Sequence, residues 1–185
     1  FFLGKSFLDI DPPTFTEGKK GVHLSDIIPD LGADGRPELF LSAPILDDDG
    51  NLLGILAFDI PIQRFLDGIL QEGYVGETGE TVLGKRIGDE VYAITSLRFD
   101  QDAQLTRKLA IGSDMAIPGQ LAAMGQSGTG VSVDYRGEEI IAAWRHIPSL
   151  DWGLVAKIDF DEVYSPIFTL RRTIMIVGLA TGLLV

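Results

Sequence analysis

One pattern in the chain is written twice. The stretch "SAPILDDDGNLLGILAFDIPIQRF" (residues 42–65) is echoed by "AAWRHIPSLDWGLVAKIDFDEVY" (residues 142–164). Each copy has a strand-like segment with small residues and a Pro, then a turn. Each continues with an apolar strand opened by Gly (Gly54-Ile55-Leu56-Ala57; Gly153-Leu154-Val155-Ala156), an Asp (Asp59; Asp159) and a helix start. A strand–turn–strand unit that ends by feeding a helix builds an antiparallel sheet with a helix at its exit. Two such units in one chain constrain the fold to α+β, with two successive sheets. At 185 residues the chain is long enough to bury a core without staples.

The pass along the chain fills in this frame. Residues 1–37 read as irregular and turn-rich, punctuated by Asp11-Pro12-Pro13 and Asp34-Gly35-Arg36-Pro37. A hairpin is expected over 38–60, turning at Asp47-Asp48-Asp49-Gly50-Asn51, where Asp-Gly supplies a positive-φ site. A helix is expected at Pro61–Gln71, with Ile62, Phe65, Leu66, Ile69 and Leu70 on one face. Further strands are expected at about 80–86, 90–95, 129–136, 138–147 and 152–159, with a short helix at Pro118–Met124. The domain reading is 1–72, 73–160 and a linker helix over 161–185.

Charge and composition exclude several functions. A formal net charge of −12 leaves no basic stripe for a phosphate backbone, so nucleic acid is not a partner. With no Cys there are no disulfides and no thiolate chemistry. Gly4-Lys5-Ser6 is the tail of a phosphate-loop pattern, but two prolines follow and break the helix that pattern requires. His23 and His146 are the only histidines and are far apart in sequence, so no metal site is expected. The Asp47–Asn51 run lacks the alternate ligand spacing of a calcium loop and reads as a solvated turn. Ser127, in "GQSGTG", has no nucleophile-elbow context. No catalytic constellation and no cofactor are expected.

The end of the chain points to a membrane. Thr173 to Val185 carries no charge, and Arg171-Arg172 stands at its start. A bilayer core takes roughly 20 apolar residues as helix, and this run has no polar face that would suit a soluble helix. It is expected to be a transmembrane helix of which these residues are part, with Arg side chains reaching the headgroups. The opening "FFLGKSFLDID" lacks the basic and apolar regions of a signal peptide and reads as a strand of a longer chain.

"GETGET" (Gly76–Thr81), "DYRG" (Asp134–Gly137) and "AAWRHIPSLDWGLVAKID" (142–159), in that order before a membrane run, resemble the membrane-proximal half of a double Cache domain. "ELFLSAPILDDDGNLLGILAFDI" looks like the closing hairpin of the membrane-distal half. The resemblance covers about residues 20–175. It implies a PAS-like sensor held outside the cytoplasm, periplasmic or extracellular over about 1–165, with a small-molecule ligand and a homodimeric, membrane-anchored receptor. The output it implies is a sensor histidine kinase; a diguanylate cyclase, a chemoreceptor or a scaffolding domain without ligand are the alternatives. Amino-acid-binding members carry a Tyr, Arg, Trp and Asp constellation in the distal half, and residues 1–37 show no clear match to it.

Within a PAS-like fold the ligand candidates are polar and aromatic residues on sheet strands facing a cavity. Here they are Tyr92, Arg98, Tyr135, Trp144 and Arg145. The guanidinium groups of Arg98 and Arg145 suit a carboxylate. The stretch 97–117 is long for a loop, and such loops often cover sites.

Overall fold

The computed structural model describes residues 12–27, 38–60, 66, 70, 75–167 and 175. The chain divides into two compact units, Phe1–Gly68 and Ile69–Val185.

In the first unit, helix α1 (Pro12–Gly18) is followed by β1 (His23–Leu24), β2 (Leu39–Leu46) and β3 (Leu52–Ile60). The strands form an antiparallel sheet in the order β1-β2-β3. The Pro12-Pro13 pair, read above as punctuation, instead opens a helix. In the first turn a missing N–H removes no intrahelical bond, and the fixed φ favours helix entry. The β2–β3 hairpin forms at the expected turn. The Asp47 carboxylate accepts the amides of Asp49 (3.0 Å) and Asn51 (2.7 Å), and Gly50 takes the positive φ of 84°. The helix expected at Pro61–Gln71 lies outside the described residues except for Leu66 and Leu70, which are helical and buried.

The second unit is a six-stranded antiparallel sheet. Its elements are β4 (Glu80–Ile87), β5 (Glu90–Ala93), β6 (Lys108–Ala110), α2 (Ile117–Ala123), β7 (Gly128–Val133), β8 (Glu139–Ile147) and β9 (Trp152–Asp159). The order is β6-β5-β4-β9-β8-β7, so the first and last strands of the unit are neighbours at its centre. Their register sets Glu80 against Lys157, Val82 against Val155 and Gly84 against Gly153. β6 falls inside the stretch read as loop; at three residues it is too short to show a strand period in sequence. A helical segment, residues 160–167, continues directly from β9.

The core forms where α2 lies across β4, β8 and β9. Ala122, Ile140, Ala142 and Val155 are buried together, with Val82 and Trp144 packed against them. Contact this close is possible because β9 carries Gly153 beneath the helix. A Cβ there would stand 2.7 Å from both the Ala122 Cβ and the Ala123 amide nitrogen. The described part of the chain is thus antiparallel sheet with few helices. Among the described residues no helix is long and apolar enough to cross a membrane; the apolar run from Ile174 lies outside them except for Met175.

The packing at Gly153 gives a sharp test. Gly153→Ala should destabilise the protein by about 1–3 kcal/mol through overpacking against helix backbone. Gly130→Ala, where an added Cβ meets nothing within 4 Å, should be neutral or slightly stabilising. Equal effects of the two in denaturant unfolding would refute the close approach.

Candidate functional site

The central strand pair places charge inside the second unit. Glu80 and Lys157 face each other across β4 and β9, on the side of the sheet that carries Val82 and Val155. The β7–β8 turn, Asp134-Tyr135-Arg136-Gly137, brings Asp134 to the same point. Lys157 Nζ lies 3.0 Å from Glu80 and 2.7 Å from Asp134, and the side chains of all three are at most 2% exposed. Arg136 extends the network: its Nε is 2.7 Å from Asp134, and it also pairs with Asp159 at the end of β9.

Three carboxylates therefore meet two cations, and neutral donors supply the rest. Glu80 accepts the amide of Arg98 (2.5 Å) and the Tyr135 hydroxyl (2.9 Å). Asp134 accepts the amides of Arg136 (2.7 Å) and Glu138 (3.2 Å). Aromatic faces complete the surround. Lys157 Nζ is 4.8 Å from the Tyr135 ring centroid, and the Arg136 guanidinium is 4.2 Å from that of Phe99. A buried ion network of this kind adds little net stability but is costly to break on one side.

The turn that builds this site spans Asp134 to Gly137. Asp134 N bonds Glu138 O (3.0 Å) and Gly137 N bonds Asp134 O (3.2 Å), with Gly137 at φ 87°. This is the longer form that ends in a left-handed Gly. It is also the form of the Asp47–Gly50 turn, with an Asp at the first position and a Gly at the fourth in both.

Titration behaviour follows from these contacts. Burial alone would raise the Asp134 carboxyl, but hydrogen bonds from Lys157 and Arg136 outweigh it and hold the group below its ordinary value. Burial raises the Tyr135 phenol far above its usual range, and the adjacent Glu80 charge adds to the shift, so it stays a hydroxyl donor. Burial disfavours the Arg136 charge, yet its bonds to Asp134 and Asp159 leave its value raised.

Above the network, between the sheet and α2, lies a cavity of about 60 Å³. Val82, Leu97, Leu109 and Val155 supply apolar wall, and Tyr92, Arg107, Gln120 and Tyr135 supply polar groups. A second hollow of about 40 Å³ shares Val82, Ala116, Tyr135 and Val155 and reaches Asp134 and Lys157. Gln120 pins the segment before α2: its Oε1 accepts the Gly112 amide (2.7 Å), and its Nε2 donates to the carbonyls of Ser113 (2.9 Å) and Met115 (2.7 Å).

Tyr92 and Tyr135, two of the residues singled out in the sequence, line this cavity. Arg98 is held elsewhere, its guanidinium bonding the carbonyls of Gly79 (2.8 Å) and Gly76 (3.3 Å). Trp144 packs into the core beside Ile140 and Ala142, with Gly128 under its ring. Arg145, next to it on β8, falls on the opposite face of the sheet and is exposed. The structure brings in Glu80, Arg107, Gln120, Asp134 and Lys157, none of which was singled out. A signal existed for Lys157: it shares strand parity with Gly153 and Val155, so a charge lies on the inward register of an apolar strand.

The exit of the unit is fastened to its entrance. Glu162, on the helical segment 160–167, accepts the amides of Glu77 and Thr78 (2.8 Å each) and the Thr78 hydroxyl. These bonds, the Thr78 hydroxyl first, lower its pKa. Thr78 Oγ1 in turn accepts the Asp159 amide at 3.0 Å. The "GETGET" turn is thus a clasp on the outgoing helix.

Comparison with known proteins places this architecture. The family model described as Cache domain, of the dCache_1 type, matches residues 4–167. The chain belongs to the Cache domain family. Solved structures with the same fold include the ligand binding domain of Mlp24 with asparagine (13% identity, TM-score 0.58, 88% of this chain and 63% of that one). The periplasmic sensory domain of the Campylobacter jejuni chemoreceptor Tlp1 is another (14%, TM-score 0.59, 86% and 57%). A third is the extracellular domain of soHK1S-Z6, a chain assigned as a histidine kinase (19%, TM-score 0.57, 88% and 58%). The chain spans about three fifths of the length of these structures. Among curated proteins none matches it. Among the described residues of this Cache domain no group of three or more side chains could hold a metal ion.

The ion network predicts two behaviours. Lys157→Met should cost about 3–5 kcal/mol because two buried carboxylates lose their cation, and adding Glu80→Gln should recover part of the loss in a double-mutant cycle. Asp134, with its lowered value, stabilises fully above its ordinary value of 3.8, and that contribution is lost as pH falls through the lowered folded value. Urea unfolding between pH 7 and pH 2 checks this; no difference in acid sensitivity between wild type and Asp134→Asn would refute it.

Proposed function

We propose that this chain is the ligand-sensing, extracytoplasmic part of a membrane-bound signalling receptor. Cache membership supports the class, and the clasp between Glu162 and the Glu77–Thr78 turn carries the mechanism. The cavity, the Asp134–Gly137 turn and β9 share the Lys157 network, and β9 runs straight into the helix that Glu162 secures. A small molecule that binds one arrangement of the cavity better than another shifts the population of that arrangement. The shift reaches Asp159 and Glu162 through covalent and ion-pair contacts, and the helix conveys it toward the membrane. Nothing in this path requires bond making or breaking, so the described part acts by binding.

In this reading the helix beyond residue 167 continues as the transmembrane segment. The receptor works as a homodimer, and a histidine kinase supplies the output. The chemoreceptor Tlp1 among the fold neighbours keeps a chemotaxis output as the second reading. The asparagine-bound domain of Mlp24 supports a small molecule as the signal. Among the residues proposed from sequence, Tyr92 and Tyr135 remain ligand-site candidates because they border the cavity. Arg98 and Arg145 are not proposed to reach it, and Trp144 acts as core.

Thermal-shift screening of the chain against carboxylates, amino acids, amines, nucleobases and small neutral compounds tests the function. A specific ligand at 100 times its Kd should add about 2.7 kcal/mol of stability, while silence across the library would favour a ligand-free scaffold. A secretion-dependent reporter fused after residue 160 should be active, and activity of a cytosol-dependent reporter instead would overturn the topology. In the full receptor, Glu162→Gln should leave ligand binding intact and uncouple output; retention of full signalling would remove the clasp from the mechanism.

A further inference from the structure

We propose that the segment joining β6 to α2, residues 111–116, is a gate over the cavity between the sheet and α2, latched shut by Gln120. The inference rests on the sensing function above and adds how a ligand reaches its site.

The walls of the cavity are unequally held. The stretch 94–107 is anchored by the buried side chains of Ile94, Leu97 and Ala103. Arg107 ties it further, pairing with Asp100 at 2.7 Å and donating to the Tyr135 carbonyl at 2.7 Å. Residues 111–116 bury no side chain of their own, yet Ala116 lines both hollows. A segment with so little apolar burial opens at a lower free energy than its surroundings.

What holds this segment is mainly one side chain. Gln120, itself 5% exposed, accepts the Gly112 amide and donates to the carbonyls of Ser113 and Met115. Such bonds exchange for bonds to water at modest net cost, so the latch can be undone without unfolding the unit. At the far end the Ala116 amide donates to the Asp134 carbonyl at 3.1 Å.

The backbone supplies the hinges. Gly112 (φ 91°) and Ala116 (φ 50°) are both left-handed, and they bracket Ser113–Met115. Gly adopts that conformation freely, whereas Ala is strained in it, and opening releases the strain. α2 begins directly after Ala116, so rotation at this residue lifts the segment without unwinding the helix. The closed gate also touches the Asp134–Gly137 turn through the Asp134 carbonyl. Closing over a guest therefore bears on the turn that Arg136 ties to Asp159.

The chain has no Cys, so one introduced thiol reports access to the cavity. Val155→Cys puts it in the wall of both hollows, and Ala142→Cys puts it in the core outside them. Each variant of the full chain is treated with methyl methanethiosulfonate and followed by intact mass. The Val155→Cys thiol should react at a rate that barely changes with urea below the unfolding transition. The Ala142→Cys thiol should react only as the whole unit unfolds, and accelerate steeply with urea. In the Val155→Cys background, Gln120→Met should speed labelling about tenfold, and Ala116→Gly should slow it about threefold by removing the strain. Opposite effects of two nearby substitutions separate a gate from a general loss of stability. Equal urea dependence at the two thiols, or labelling indifferent to both Gln120→Met and Ala116→Gly, would overturn the gate and leave the sensing function to the library screen. A silent library screen beside the expected rates would remove the sensing function and leave the gate in place.

Discussion

Lys157 sits between two carboxylates in an interior that excludes water, and the second unit is arranged around that fact. A buried charge is costly unless it is paired. The match comes from three separate places in the sequence: Glu80 on the first strand, Asp134 in a turn, and, through Arg136, Asp159 at the end of the last strand. None of these partners has an apolar substitute that leaves the others satisfied. The network therefore fixes register between β4 and β9 more strictly than apolar packing would, since a one-residue slip would carry Lys157 to the other face. Ion pairs of this sort define a unique arrangement more than they deepen it.

In the proposed receptor the same network joins the cavity to the outgoing helix. The cavity shares Tyr135 with it, the outgoing strand carries two of its members, and the helix that follows is clasped three residues after Asp159. Regions with few such bonds can move without consequence. Here Arg136 pairs with both Asp134 and Asp159, so in the proposed receptor the path from the turn to the helix is short.

Much of this fold was legible in the residues. Both hairpins and the short helix near Pro118 follow from turn chemistry and periodicity acting over a few residues. The Asp-x-x-Gly form of the two main turns is written plainly, although Tyr135 is buried in the second of them. α1 was missed because the same prolines that break a helix internally are favoured at its first turn. β6 was missed because three residues carry no period. Tyr92 and Tyr135 were placed near the cavity because aromatic residues on sheet strands have few other uses. Arg107 and Gln120 were passed over because their importance depends on which distant groups they bond, a property of three-dimensional arrangement. Trp144 and Arg145 show the converse: adjacent on β8, they go to opposite faces, and neither lines the cavity.

The sheet order has a consequence for how the protein comes into being. Because β4 and β9 are central partners yet lie at opposite ends of the unit's sequence, neither half of the sheet has its middle until the final strand has been made. β4, β5 and β6 wait on one side, and β7 and β8 on the other, with their apolar faces open. Closure is a late, long-range event of the slow kind, and during synthesis Glu80 and Asp134 wait for their shared partner until Lys157 leaves the ribosome and draws the two halves together.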